Sequence, residues 1–290
     1  MKKLTIALIA LMVVMSCNKK KNSVVQTTQN SPKNVTSLIA KINSIGNSYK
    51  NKSTTGSAAH KTTRSSWGSW FADAISGAIA GGPGTPPCIS CAITVGSAVS
   101  AAFASASVAN IPNPLNPGPN TTGSGSFIYG VAGDDHNTIL YDLYSNGVTI
   151  SLDANGNFNQ ATVNLYSNLS FLNINNGNDN MAAIFQNEAP LTTSMVQYTN
   201  NTYSNPNYAS DFLSHYSSDL NLNLVIESII SNVQNDIANE SDCTSYLLQV
   251  QTTIQQSQDL TPAQQQEICV FLAIANSSIY FWDANGYSAF

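Results

Sequence analysis

Residues 260–286 read LTPAQQQEICVFLAIANSSIYFWDANG, and this stretch decides the fold class. It opens with Thr261 as an N-cap, Pro262 at the first helical position and Gln264 as the glutamine of a capping box. Apolar side chains then recur at helical spacing: Ile268, Phe271, Leu272, Ala275, Ile279 and Trp282. The residues DANG at 283–286 end this pattern, so the sequence predicts one long helix.

The same periodicity continues upstream of this helix. Residues 222–237 and 241–258 predict two further amphipathic helices, and residues 208–217 predict a short one. We also expect a helix that begins near Asp134, a helix over 158–172 and a short strand at 148–152. Residues 127–290 are therefore expected to form an acidic, mainly α-helical domain with a bundle-like architecture.

Residues 67–109 differ from the rest because Ala, Gly and Ser dominate them. A Gly/Pro-rich break at 81–87 divides them into two predicted helices. Small side chains recur every four residues in the second helix, at Ala92, Gly96, Ser100 and Ala104. Such a row allows a second helix to approach closely, so we predict a helical hairpin. A Pro/Gly-rich linker, 110–126, follows it, and residues 17–66 precede it as a tether with a short amphipathic helix at 34–50.

The chain starts with MKK, and an apolar run follows over residues 4–15. The run is too short to span a bilayer as a stable helix and is typical of a signal peptide, here residues 1–16. The ending VMSC at residues 14–17 resembles the lipobox of bacterial lipoproteins. That resemblance implies that Cys17 is acylated and becomes the mature N-terminus, held in a membrane of the bacterial cell envelope. A fortuitous cysteine after an ordinary secretory signal is the alternative.

The residues after Cys17 bear on which face of the membrane the protein occupies. Three lysines at 19–21 would add electrostatic attraction to anionic lipid headgroups. In lipoproteins of the Bacteroidota type, acidic residues just after the lipidated cysteine resemble a surface-export signal, and residues 18–22 contain none. This pattern favours attachment facing the periplasm, with surface exposure as the alternative.

Charge is strongly segregated along the chain. All 11 Lys and Arg residues lie before Trp67, and all 16 Asp and Glu residues lie after it. From residue 65 onward no lysine or arginine is available to hold a phosphate or a carboxylate. This excludes nucleic-acid binding, P-loop chemistry and Schiff-base lysines for that region.

Four cysteines remain after Cys17, and export to an oxidising compartment favours disulfides among them. Three pairings are possible, and we expect Cys243 to pair with Cys269 because free exported thiols are unusual. Helix geometry opposes this pairing, since two antiparallel helices joined near residue 260 leave an axial mismatch of about 12 Å. Cys88 and Cys91 could form a short-loop disulfide, and a zinc site built from all four is a minor alternative.

Two groups of titratable residues are candidate metal or acid/base sites. The first is Asp134, Asp135 and His136, where carboxylates beside a histidine could hold a metal. Its alternative role is helix capping by the aspartates. The second is Asp211, His215 and Asp219, whose spacing of four predicts one helix face; a solvated face is the plainer interpretation.

These residues do not identify an enzyme. The chain has three histidines and lacks a Gly-x-Ser-x-Gly motif, so a nucleophile with a histidine partner has few possible arrangements. We expect no catalytic residues, no cofactor and no resident metal. The tetrapeptide DANG at 153–156 and at 283–286 is interpreted as a turn in both places.

We therefore expect a non-enzymatic lipoprotein tethered in the envelope, in contact with the bilayer through Cys17, with a binding or structural role and an unknown protein partner. Residues 67–109 loosely resemble the Gly/Ala-rich helices of membrane-active bacteriocin peptides, which implies a toxin-like alternative. Core packing is the other explanation for those residues. His136-Asn137-x-x-Leu140 and residues 277–282 also resemble bacterial exported proteins of no known function. A metal-dependent hydrolase that uses His136 and His215 is the second alternative.

Overall fold

The helix predicted from residues 260–286 lies at the centre of the molecule. The computed structural model describes residues 35–53, 65–81, 88–107, 126–145, 181–205, 207–237 and 239–285, with short pieces between 152 and 164. This part of the chain contains nine helices of nine or more residues. They are α1 Thr36–Ser53, α2 Ser65–Gly81, α3 Ile89–Ser107, α4 Gly130–Ser145, α5 Met181–Thr202, α6 Tyr208–Tyr216, α7 Leu220–Asp236, α8 Glu240–Gln255 and α9 Pro262–Ala284. The expected mainly α-helical, bundle-like fold is confirmed.

Helix α9 begins with the predicted capping box. The Thr261 hydroxyl accepts a hydrogen bond from the Gln264 amide at 3.2 Å, and the Gln264 side chain accepts one from the Thr261 amide at 2.7 Å. Every residue from Glu267 to Ile279 is buried. A helix that is buried on all sides must be surrounded by other elements, and α2, α4 and α8 pack against it.

Helices α2 and α3 form the predicted hairpin, and glycines bring them together. A Cβ atom added to Gly96 would lie 3.0 Å from the Asp73 carbonyl oxygen, and one added to Gly77 would lie 3.0 Å from that of Ala92. The small-residue row therefore faces the partner helix, as predicted. The hairpin also packs on other helices, because α2 contacts α9 and α3 contacts α4 and α5.

Residues 34–290 form one compact unit, and residues 1–33 are a separate one. The amphipathic helix and the hairpin, which the sequence analysis set apart from residues 127–290, thus share a unit with them. Helix α1 joins it by burying Val35, Leu38, Ile42 and Tyr49, and it contacts α7 and α8. None of the helices in the described ranges has both the length and the apolar character required to cross a membrane.

Several boundaries differ from the predictions. Helix α4 begins at Gly130 rather than near Asp134, so Asp134 and Asp135 lie inside the helix and do not cap it. Helix α5 extends over 22 residues and contains Pro190, whereas the sequence pattern there was too short to predict a helix. The sequence predicts a helix over 158–172. Within that range the structure describes residues 158, 159 and 162–164, of which 162–164 are helical. The predictions for 1–33 and 110–125, which include the signal peptide, Cys17 and the Pro/Gly-rich linker, fall outside the described residues.

The turn at 153–156 is confirmed on its described residues. The Asp153 carboxylate accepts hydrogen bonds from the backbone amides of Asn155 at 2.8 Å and Asn157 at 2.9 Å. Leu152 and Phe158 flank this turn and form an isolated antiparallel bridge. The aspartate is thus used to close a short loop, as Asx turns do.

Candidate functional site

Asp73 is the single charged residue that the hairpin contributes, and it is fully buried. It lies on α2, and its carboxylate is completely inaccessible to solvent. One carboxylate oxygen, Oδ1, accepts a hydrogen bond from the Ala74 backbone amide at 2.6 Å. A buried carboxylate requires several such partners because removal of its hydration is costly.

The other carboxylate oxygen, Oδ2, meets groups from two further helices. Nε2 of His136, on α4, lies 3.3 Å away, and this imidazole is also completely buried. The Ser278 hydroxyl, on α9, donates a hydrogen bond to the same oxygen at 2.6 Å. One carboxylate therefore joins α2, α4 and α9 in the interior of the unit.

The second nitrogen of His136 is also engaged. Its Nδ1 lies 3.2 Å from the side-chain oxygen of Asn137, and the Asn137 amide nitrogen donates to the Ser277 carbonyl at 2.8 Å. Gly96 closes the remaining side, since a Cβ atom there would lie 3.5 Å from Cδ2 of His136. The contact of Nδ1 with Asn137 and the close approach of Gly96 therefore restrict the orientation of the imidazole.

Burial raises the pKa of Asp73 above its ordinary value. The contacts with His136, Ser278 and the Ala74 amide act in the opposite direction because they favour the charged form. Tyr208, whose own pKa is raised by burial, also interacts electrostatically with Asp73.

The order of contacts differs from that of a nucleophilic triad. In a triad the histidine lies between the serine and the carboxylate, so that it can take the hydroxyl proton. Here the carboxylate lies between Ser278 and His136, and the serine proton points to Asp73. All three side chains are inaccessible to solvent. The arrangement can hold three helices together but does not activate Ser278 for attack on a substrate.

The first predicted cluster does not assemble as a site. Nε2 of His136 lies against Asp73 of α2, while Asp135 is buried and Asp134 is partly exposed on the same helix as the histidine. No group of three or more His, Cys, Asp or Glu side chains in the described residues is placed to hold a metal ion.

The second predicted cluster is divided between two helices, so the prediction of one shared face is wrong. Helix α6 ends at Tyr216, and Asp219 instead caps α7 by accepting from the Leu222 amide at 3.0 Å. His215 is exposed and stacks on Tyr198, with ring centroids 4.7 Å apart. Asp211 accepts a hydrogen bond from the side chain of Asn205. His136 and His215 therefore occupy different environments.

The preferred disulfide between Cys243 and Cys269 is also wrong, because both are free and buried thiols. The register of α8 against α9 explains this, since the Thr244 hydroxyl donates to the Asn276 side chain at 2.8 Å. Cys269 precedes Asn276 by about 10 Å along the helix axis, which exceeds the reach of a disulfide. Burial raises the pKa of both thiols, that of Cys269 to about 12.

Cys88 and Cys91 form a disulfide at the start of α3. This pairing was one of the open alternatives, and it removes the zinc site of four cysteines. The bridge lies where the chain enters the hairpin's second helix, and the Cys88 amide donates to the Gly81 carbonyl at 3.0 Å.

The sequence analysis did not identify Asp73 as a site residue. A usable signal was present, because Asp73 is the single charged residue within residues 67–109. A charge inside an otherwise apolar helix predicts a buried partner of opposite or switchable charge. Comparison of the chain with protein-family models, with curated proteins and with solved structures found no match.

Proposed function

We propose that this protein is a lipoprotein of the bacterial cell envelope, anchored by an acylated Cys17, whose helical domain has a binding or structural role without catalysis. The observation that carries the proposal is the order of residues 1–17, in which a basic start, a short apolar run and the lipobox-like VMSC follow one another. The compact unit begins at Asn34, and residues 18–33 separate it in sequence from Cys17.

The buried polar cluster supports a structural role for the domain interior. Asp73, His136 and Ser278 are completely buried, and Oδ2 of Asp73 lies 3.3 Å from Nε2 of His136 and 2.6 Å from the Ser278 hydroxyl. A catalytic group must come within hydrogen-bond reach of a substrate proton. The enclosure of this cluster favours a clamp between helices over an acid/base site.

The position of the hairpin favours the same proposal over the membrane-active alternative. From Phe71 to Gly81 and from Ser90 to Ala102 nearly every side chain is buried. These surfaces already contact α4, α5 and α9. Insertion into a bilayer would require the hairpin to leave a core that it helps to form. The apolar surfaces of the hairpin and of the helices that it contacts would then both lose their burial in the core.

Replacement of the lipidated cysteine tests the proposal. Cys17→Ser in a bacterial host should abolish incorporation of labelled fatty acid and move the protein from the membrane to the soluble fraction. Ser16→Ala is the matched control, because it keeps a small residue before the cysteine and should retain the label. Wild-type protein without fatty acid, or unchanged membrane fractionation of Cys17→Ser, would contradict the proposal.

A further inference from the structure

The disulfide between Cys88 and Cys91 lies at the N-terminus of a long helix. The two cysteines are separated by Ile89 and Ser90, and helix α3 begins at Ile89 and extends over 19 residues. The Ala92 amide donates to the Cys88 carbonyl at 3.0 Å, so Cys88 is the N-cap residue of α3 and Cys91 is its third helical residue. Both sulfurs therefore belong to the part of the helix where its dipole favours negative charge.

The sulfur of Cys88 acts as the capping acceptor of this helix. The Cys91 backbone amide donates a hydrogen bond to it at 3.3 Å. In most caps an oxygen of Ser, Thr, Asp or Asn accepts this bond from the second or third helical residue. A thiolate accepts more strongly than a neutral sulfur, because hydrogen bonds to charged groups are the stronger ones. Reduction of the bridge would thus place a negative sulfur where the helix dipole and an amide both stabilise it.

The two cysteines differ in their access to solvent. Cys88 is partly exposed, whereas Cys91 is buried with 9% of its surface accessible. An external thiolate can therefore reach the sulfur of Cys88 more readily. Thiol exchange depends on which sulfur is attacked, and attack at one sulfur of a disulfide expels the other. This difference in access favours Cys88 as the attacked sulfur and Cys91 as the leaving thiolate.

The bridge closes too short a segment to contribute much to folding. Its cysteines are three positions apart, and a disulfide restricts the unfolded chain less as the loop that it closes becomes shorter. Cys243 and Cys269, in contrast, stay as free thiols in the core. Accessible disulfides whose reduced form is stabilised are stronger oxidants than structural ones. The location of this bridge therefore favours exchange with thiols over a purely structural role.

We propose that the Cys88–Cys91 disulfide is a thiol-exchange site that oxidises a pair of thiols on a partner protein. A thiolate of the partner attacks Sγ of Cys88, the S–S bond breaks, and its electron pair passes to Sγ of Cys91. The partner's second thiolate then attacks the partner's own sulfur in the mixed disulfide and releases Cys88. The partner loses two electrons and two protons as its disulfide forms, and the two cysteines gain them as thiols. This stoichiometric reaction goes beyond the proposed binding or structural role and does not depend on the lipid anchor.

Reaction with a dithiol peptide tests the exchange. Full-length protein with Cys17→Ser, which removes any thiol at that position, would be mixed without oxygen with an excess of a synthetic peptide that contains two reduced cysteines. Mass spectrometry after alkylation identifies the reduced positions. We expect Cys88 and Cys91 to become thiols while one peptide disulfide forms per protein molecule. A bridge that stays intact in the folded protein and is reduced only in urea would overturn the proposal.

Two matched variants test which sulfur reacts. In the same Cys17→Ser background, Cys91→Ser leaves one thiol at position 88, and Cys88→Ser leaves one at position 91. Both variants would react with glutathione disulfide at neutral pH, after circular dichroism has established equal helix content. We expect the mixed disulfide to form at least about tenfold faster in Cys91→Ser, because its thiol is the more exposed one and caps α3. Equal rates, or a faster reaction in Cys88→Ser, would overturn the assignment of Cys88.

Discussion

At the scale of single residues, Asp73 tests whether the buried polar cluster stabilises the fold. Its carboxylate is the shared partner of His136 and Ser278, which belong to two other helices. Replacement by alanine would leave the imidazole and the hydroxyl buried without that partner. The cost of removing one member of a buried polar pair exceeds the net value of the pair, because the remaining group stays desolvated.

We predict that Asp73→Ala lowers the free energy of unfolding by about 1–3 kcal/mol, the cost of leaving a buried polar group without its hydrogen-bond partner. Urea unfolding followed by circular dichroism measures it. The control is Asp259→Ala, on the partly exposed loop after α8, where we expect a change within about 0.5 kcal/mol. Equal effects of the two substitutions would show that the buried cluster adds no stability beyond that of an ordinary surface residue.

Glu240 gives the molecule a pH dependence near neutrality. Burial, together with the neighbouring Asp283, raises the pKa of Glu240 from 4.5 to about 7. Because the folded chain keeps this proton to a higher pH than the unfolded chain, folding takes up a proton between these two values. The free energy of unfolding therefore falls as pH rises through this window.

Glu240→Gln should flatten that slope, since glutamine does not titrate. Urea midpoints measured from pH about 4.5 to about 7 would then change less than those of the wild type. Asp283→Asn should flatten the slope only in part, because it removes one of the two causes. A wild-type midpoint that rises with pH in step with both variants would contradict the assignment.

At the scale of elements, close helix contacts depend on missing side chains. A Cβ atom added to Gly133 on α4 would collide with the Ser277 hydroxyl and come within 2.6 Å of the Ala273 carbonyl oxygen on α9. The Ala273 carbonyl and the Ser277 side chain both belong to α9, so relief of this overlap requires α9 to move. The hydrogen bond from Asn137 to the Ser277 carbonyl, one turn along α4, depends on the same approach.

Gly133→Ala should therefore destabilise the protein by about 1–3 kcal/mol, as overpacked cores do, despite the better helix propensity of alanine. Gly81→Ala is the matched control, because its new Cβ would meet the Ala92 side chain at an ordinary 3.4 Å. Thermal unfolding of both variants measures the change in stability that each substitution causes. A stabilised Gly133→Ala would mean that α4 and α9 lie farther apart in solution.

The elements also show what the sequence could and could not predict. The capping box of α9, the hairpin and the amphipathic α7 follow from local patterns, and all three are present. Helix α5 was missed because Pro190 and many polar residues obscure its periodicity, and its packing against α3 is a tertiary contact that the local pattern does not contain. The Asp73–His136 pair spans 63 positions of the chain, and no local pattern records which helices become neighbours.

At the scale of the whole molecule, charge is unbalanced within one compact unit. The unit from Asn34 to Phe290 contains all 16 acidic residues but only five lysines and arginines, at 41, 50, 52, 61 and 64. In the described ranges, Lys50 with Asp236 is the one ion pair that joins a lysine or arginine to an acidic residue. Like charges on one compact body repel and lower its stability relative to an expanded chain.

Salt should therefore stabilise this protein. The screening length falls from about 30 Å at 0.01 M salt to about 8 Å at 0.15 M and about 3 Å at 1 M, so most of the gain should appear below about 0.15 M. The measurement is the urea midpoint across that series in sodium chloride, repeated in potassium chloride. A gain that instead grows steadily up to about 1 M would indicate ion exclusion from the surface rather than screening. A midpoint that falls as salt is added would mean that attractive pairs, such as Lys50 with Asp236, outweigh the repulsion among the carboxylates.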